Sequence, residues 1–146
     1  MMQFRFFLVI LFSFLSLSLS AQQIKTFQQR SVAIPADSTF TKSIQYLHNN
    51  GYRLTTVDRP SGFIQIRTYI KHNKIFSAKM GEWRTLNFLI QPDDSNRALI
   101  TLNIYQEDKI FGGDIHNKTA YDEDNGLSDD PKLYQEIWDK LLPALR

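Results

Sequence analysis

The chain has 146 residues, with 17 Lys and Arg against 15 Asp and Glu, and it contains no cysteine. That composition excludes disulfides, thiolate metal ligands, a Cys nucleophile and a lipid-modified Cys, so the fold rests on its hydrophobic core alone. A chain of this length buries enough apolar surface for one such domain, and its near-balanced charge gives no reason to expect a nucleic acid as partner.

The first residues, Met1 to Arg5, are followed by Phe6 to Leu15, made almost wholly of Phe, Leu, Val and Ile, and then by alternating Ser and Leu up to Ala21. A charged start, an apolar centre and a small-residue exit describe a cleavable signal peptide over residues 1–21, with cleavage after Ala21 or Ser20. The apolar stretch is too short to span a bilayer. The expectation is therefore an exported product, periplasmic or secreted, with no stable membrane anchor after cleavage. Removing residues 1–21 takes away one basic residue, Arg5, and brings the remainder closer to neutrality.

Residues 22–30 are polar and read as a flexible lead-in, so the domain is expected over 31–146. Ser31 to Ile34 predicts a short edge strand stopped by Pro35. Asp37 or Ser38 is placed to cap a helix whose apolar residues Phe40, Ile44 and Leu47 share one face, and Asn49, Asn50 and Gly51 end it. Tyr52 to Asp58, the turn Arg59, Pro60, Ser61, Gly62, and the alternating Ile64, Ile66, Thr68 and Ile70 predict a hairpin. Lys71 to Glu82 is a less regular connection around Ile75, Phe76 and Met80, with room for a further short strand.

Two clear strands follow. Leu86, Phe88 and Ile90 align within Arg84 to Gln91, Ala98, Ile100, Leu102 and Ile104 align within Arg97 to Gln106, and Pro92 to Asn96 form the loop between them. A long acidic connection over 107–130 comes next. Asp130 then caps, and Pro131 begins, a last helix with Leu133, Tyr134, Ile137, Trp138, Leu141 and Leu142 on one broad apolar stripe, limited by Pro143. Strands with one apolar face and helices with one apolar stripe combine most economically as a two-layer α+β sandwich. The predicted sheet is antiparallel, of about four to five strands, with two helices on one face.

Along Leu47, Asn49, Asn50, Gly51, Tyr52, Arg53, Leu54, then Asp58, Arg59, Ser61, Gly62, Phe63 and Ile64, the chain resembles a helix-to-hairpin pattern of small Gram-negative envelope domains. The repeat domains of the lipoprotein subunit of the outer-membrane β-barrel assembly machine are similar there. The resemblance covers only this segment and implies a non-enzymatic binding or scaffolding role. It transfers no functional residue, and this chain lacks the lipidated Cys of such lipoproteins.

Charge is segregated along the chain. Arg59, Arg67, Lys71, Lys74, Lys79 and Arg84 are accompanied by Glu82 alone, whereas the segment 107–130 carries eight acids against Lys109 and Lys118. Within that segment Asp122, Asp124 and Asn125 beside Gly126 offer the oxygen ligands calcium requires, although the spacing fails the EF-hand pattern. Asp114 and His116 would share one side of an extended piece and suit a transition metal. No serine stands in a G-x-S-x-G or S-x-x-K arrangement, and no Gly-rich phosphate loop occurs. Two function classes remain. The first is a binding module of the cell envelope that takes an envelope protein or a glycan on its helix-free sheet face, through Arg67, Tyr69, Trp83, Asn103 and Tyr105, with Tyr121 as a further aromatic. Arg67, Tyr69, Asn87, Thr101, Asn103 and Tyr105 are equally the residues that would merely cross-pair on a solvated sheet. The second is a metal-dependent hydrolase using the acidic segment, with Asp114, His116, Asp122 and Asp124 as ligands. The binding module is the expectation, with no cofactor required.

Overall fold

The computed structural model describes residues 25–73, 77–93, 96–113 and 119–146. In chain order, a short 3-10 turn at Thr26–Gln28 leads into β1 (Gln29–Val32) and helix α1 (Ala36–Asn49). Strands β2 (Arg53–Asp58), β3 (Phe63–Lys71), β4 (Lys79–Asp93), β5 (Arg97–Phe111) and β6 (Ala120–Leu127) follow. Helix α2 (Pro131–Leu141) comes last and runs into a 3-10 turn at Leu142–Leu145. The architecture is α+β: one antiparallel six-stranded sheet and two helices.

The strands run β2-β3-β4-β5, and both β1 and β6 lie along the outer edge of β5. β1 pairs with Ala98 to Thr101 and β6 with Tyr105 to Phe111, so the two share that edge end to end. Between them the β5 edge is completed by side-chain and loop atoms. The Ile104 N–H donates to the Tyr134 hydroxyl at 3.3 Å, and the Ser128 N–H donates to the Ile104 carbonyl at 2.8 Å. The Tyr134 hydroxyl donates in turn to the Ser128 carbonyl at 3.1 Å. A buried strand edge with an orphaned amide is costly, and Tyr134 from α2 removes that cost.

The parity of the strands separates two faces. Ile64 and Ile66, Leu86, Phe88 and Ile90, and Ala98, Ile100, Leu102 and Ile104 are buried and form one cluster with Phe40 and Leu47 of α1 and Leu133, Tyr134, Trp138 and Leu141 of α2. Period-2 alternation on the strands and 3.6-residue periodicity on the helices thus meet in one core, which sets both helices against the even-numbered face. Every core side chain among the described residues lies after Lys25 and is kept in a chain beginning at Gln22.

Several boundaries differ from the sequence reading. The sheet has six strands rather than four to five, because the acidic segment contributes β6, which shares the outer edge of β5 with β1. The acidic segment 107–130 is largely strand: Glu107 to Phe111 continue β5, and Ala120–Leu127 form β6 with a register shift at Gln106/Glu107. Within the stretch read as a lead-in, Thr26 to Arg30 form the 3-10 turn and the start of β1, with Phe27 packed on the core and the Trp138 indole donating to its carbonyl at 2.8 Å. α1 begins after Pro35 without a side-chain cap from Asp37 or Ser38. Asp130 does cap α2, accepting from the Lys132 N–H at 3.0 Å with Pro131 at the first helical position. β4 takes in the end of the connection read as irregular, while residues 74–76 lie outside the described residues.

Candidate functional site

Odd-numbered positions of β3, β4 and β5 point away from the helices, and the register aligns them in rows across the sheet. Gln65, Asn87 and Asn103 form a central row; Arg67, Thr85 and Tyr105 form the next; Tyr69, Trp83 and Glu107 form a third. On the other side of the central row lie Phe63, Leu89 and Thr101, with Gln29 of β1 beyond. All five residues singled out on this face, Arg67, Tyr69, Trp83, Asn103 and Tyr105, are therefore brought onto one surface with no helix over it among the described residues.

The aromatic end of this surface is ordered by cross-strand packing. The Tyr69 and Trp83 rings are 4.8 Å apart and tilted by 51°. The Arg67 guanidinium lies over the Trp83 ring at 4.6 Å and ion-pairs with Glu107 at 2.5 Å. Both contacts follow from register, since Tyr69 is directly opposite Trp83 and Arg67 is its diagonal neighbour. Gly81 completes the packing: a Cβ there would lie 2.3 Å from the Tyr69 hydroxyl oxygen, so the ring rests on bare backbone. Tyr69 and Tyr105 remain 37% and 40% exposed, a larger share than apolar rings retain in a core.

Amides hold the centre. The Gln65 side-chain NH2 donates to the Asn87 carbonyl oxygen at 3.0 Å, and the Thr55 hydroxyl donates to the Gln65 carbonyl oxygen at 2.9 Å. From the far edge, the Gln28 NH2 donates to the Asn103 carbonyl oxygen at 3.2 Å. Gln65, Asn87, Gln28 and Glu107 were not among the singled-out site residues. Asn87 shares strand parity with Trp83, and Gln65 with Arg67, which is the signal that points to them.

The acidic strand carries its side chains differently from the sequence reading. Asp122 and Asp124 stand opposite Lys109 and Glu107, on the helix-free side of β6, as exposed strand residues. The Lys109 ammonium lies 3.3 Å from an Asp122 oxygen, and Asp124 accepts from the Gly126 N–H at 2.7 Å. Tyr121 stands opposite Ile110 and so faces the other way from Tyr69, Trp83 and Tyr105, because its parity in β6 is that of the even-numbered β5 residues. Asp114 and His116 lie outside the described residues. Among the described residues no group of three or more His, Asp or Glu side chains gathers to hold a metal.

On the helix side, beyond the helices, the even-numbered Glu82, Arg84, Gln106 and Asp108 carry an ion network, which Lys79 joins because a bulge between Lys79 and Gly81 brings it opposite Ile110. Glu82 is only 5% exposed and accepts from Arg84 at 2.5 Å and Gln106 at 2.9 Å, with Lys79 at 3.2 Å. Lys79 also pairs with Asp108 at 2.5 Å. Burial alone would push the Glu82 carboxyl up. The hydrogen bonds from Arg84 and Gln106 and the nearby cations outweigh it and hold the group at about 2. For Lys79, burial works against the charge, and the two acids prevail and raise its pKa. Every partner here is a charge or amide of the same cluster, which makes this a structural network of the sheet's far end. Near the start of α1 a cavity of about 300 Å³ opens against the β2–β3 turn, where the Arg59 guanidinium stacks on Phe40 and pairs with Asp37.

The chain matches no protein-family model and no curated protein sequence. Among solved structures it is similar to a TBP-like protein from Parabacteroides distasonis, at 14% identity and a TM-score of 0.44, over 83% of this chain and 94% of that one. A likeness at that level assigns neither function nor partner here.

Proposed function

We propose that this chain is an exported binding module of the cell envelope, periplasmic or secreted, whose helix-free sheet face takes an envelope partner, either a protein or a glycan. The observation that carries the reading is the convergence of Arg67, Tyr69, Trp83, Asn103 and Tyr105 on that face, with two half-exposed tyrosines beside hydrogen-bonded amides. A face of this kind offers flat aromatic surface and directional hydrogen bonds together, the pairing that binding surfaces use. The helix-to-hairpin resemblance favours the same class of role. Export rests on the sequence of residues 1–21.

The test has two arms. Expressed with its full sequence, the protein is expected in the periplasm or medium with a mass corresponding to a start at Gln22 or Ala21; an uncleaved cytoplasmic product contradicts export. Immobilised mature protein is expected to retain an envelope component that a Thr85→Arg variant does not, while a Lys140→Glu change on the exposed side of α2 leaves retention intact. Equal retention by both variants contradicts the assignment of the face.

A further inference from the structure

The central amide row differs from its surroundings in its unused hydrogen-bonding capacity. Asn87 and Asn103 stand opposite each other on β4 and β5. Their carbonyl oxygens are engaged by Gln65 and Gln28 at 3.0 and 3.2 Å, while their NH2 groups have no partner among the described residues. Each primary amide carries two donors, so the middle of the face presents a short array of N–H groups whose orientation is set from both sides by the row itself.

The row itself carries no charge; Arg53 and Lys71, which have no ion pair among the described residues, share this face but stand at its β2 side and beyond the aromatic pair. Arg67 is held by Glu107, and Lys109 by Asp122. A phosphate-bearing or strongly acidic ligand would need free cations within the row, and the row is made of neutral amides. An extended peptide would need an open strand edge for its main chain; at the row β3 and β4 are paired on both sides and the outer edge of β5 is closed by Tyr134 and Ser128, so the row offers side chains only. The row is flanked by Phe63 and Leu89 on one side and by Tyr105 and the Tyr69–Trp83 pair on the other. Neighbouring strands are ~4.8 Å apart, so the row from Gln65 to Gln28 spans roughly 15 Å. Uncharged hydrogen-bond donors between apolar and aromatic strips match the hydroxyl and acetamido oxygens and the C–H faces of sugar rings.

We infer that the Gln65–Asn87–Asn103 row is a subsite for an uncharged oligosaccharide lying across β3, β4 and β5. This rests on the reading of the helix-free face as the binding surface and names its ligand class.

The experiment titrates the ¹⁵N-labelled chain from Gln22 onward with neutral tetrasaccharides: N-acetylglucosamine in β-1,4 linkage, and glucose in β-1,4 and in α-1,4 linkage. At least one is expected to bind and to move the side-chain NH2 signals of Asn87 and Asn103, and Asn87→Ala and Asn103→Ala are each expected to weaken it by about tenfold, the loss of one directional hydrogen bond. The wild-type signals alone decide the matter if either variant folds poorly. If no tetrasaccharide moves these signals at millimolar concentration but a polysaccharide-free envelope protein fraction does, the face binds and the glycan assignment is wrong. If neither moves them, the assignment of the face falls as well.

Discussion

At Glu82 a carboxylate taken almost wholly out of water keeps its charge because Arg84, Gln106 and Lys79 reach it from two strands. Its pKa of about 2, against the ordinary 4.5, is a statement about stability. The folded value is depressed, so the stabilisation is fully present above pH 4.5 and is lost as pH falls from there towards 2. The shift is equivalent to about 3 kcal/mol. Glu82→Gln is therefore expected to destabilise the protein by about that amount at pH 7, leaving Arg84 and Lys79 less well paired. Urea unfolding across a pH series should show the difference from wild type shrinking below pH 4.5; a difference constant with pH would contradict the assignment. Two glycines offer a contrast of sterics. Gly62, at φ 72°, donates to the Arg59 carbonyl and accepts from Ile90, and a Cβ there would lie 2.1 Å from the Ile90 oxygen. Gly51, at φ 74°, has nothing within 4 Å of such a Cβ. Gly51→Ala is expected to cost about 1 kcal/mol, the left-handed penalty alone. Gly62→Ala should cost about 3 kcal/mol or more, because β3 must shift from the end of β4. Equal midpoints in denaturant for the two variants would refute this. Both glycines were legible in the sequence as turn and cap. The close approach at Gly62 was not, since it depends on a strand almost thirty residues away.

Among the elements, β5 organises the molecule, pairing with β4 along its length and with β1 and β6 on its other edge. The gap between β6 and β1 is closed by the Tyr134 hydroxyl, which serves the Ile104 N–H, the Ser128 carbonyl and the Gln28 side chain at once. Tyr134→Phe keeps the ring against Phe27 and removes only that oxygen, so it is expected to cost about 2 kcal/mol, the penalty for stranding a buried donor. Hydrogen exchange should then speed up first at the Ile104 amide; an unchanged rate there would mean the edge is closed by other atoms. Near the helices each strand shows one apolar face, and Ile64, Ile66, Leu86, Phe88, Ile100 and Leu102 could be assigned to the core from their alternation alone. At the far end neither face is consistently apolar: Glu82 and Arg84 alternate with Trp83 and Thr85, a bulge at Lys79/Gly81 breaks the period, and Asp122 and Asp124 alternate with Tyr121 and Glu123. Period-2 hydrophobicity vanishes there, which is why the strand of the acidic segment read as a connection.

At the scale of the whole molecule, the two helices cover one face of the sheet and leave the opposite one to solvent or to a partner. Strand parity was enough to place Arg67, Tyr69, Trp83, Asn103 and Tyr105 on that face. The stacking of Arg67 on Trp83 and the amide row through Gln65, Asn87 and Gln28 required the register between strands, which no local pattern contains. The same missing register hid the Glu82 network, since its five members come from two strands and a bulge at Lys79/Gly81. The central claim is that the helix-free face is where this protein meets its partner. The most direct measurement is a residue-by-residue chemical-shift map of the mature protein on adding whole solubilised envelope. The account predicts a contiguous set of changes across β3, β4 and β5 at Gln65, Arg67, Trp83, Asn87, Asn103 and Tyr105, with α1 and α2 unmoved. Changes confined to the helices, or to the outer edge of β2, would contradict it.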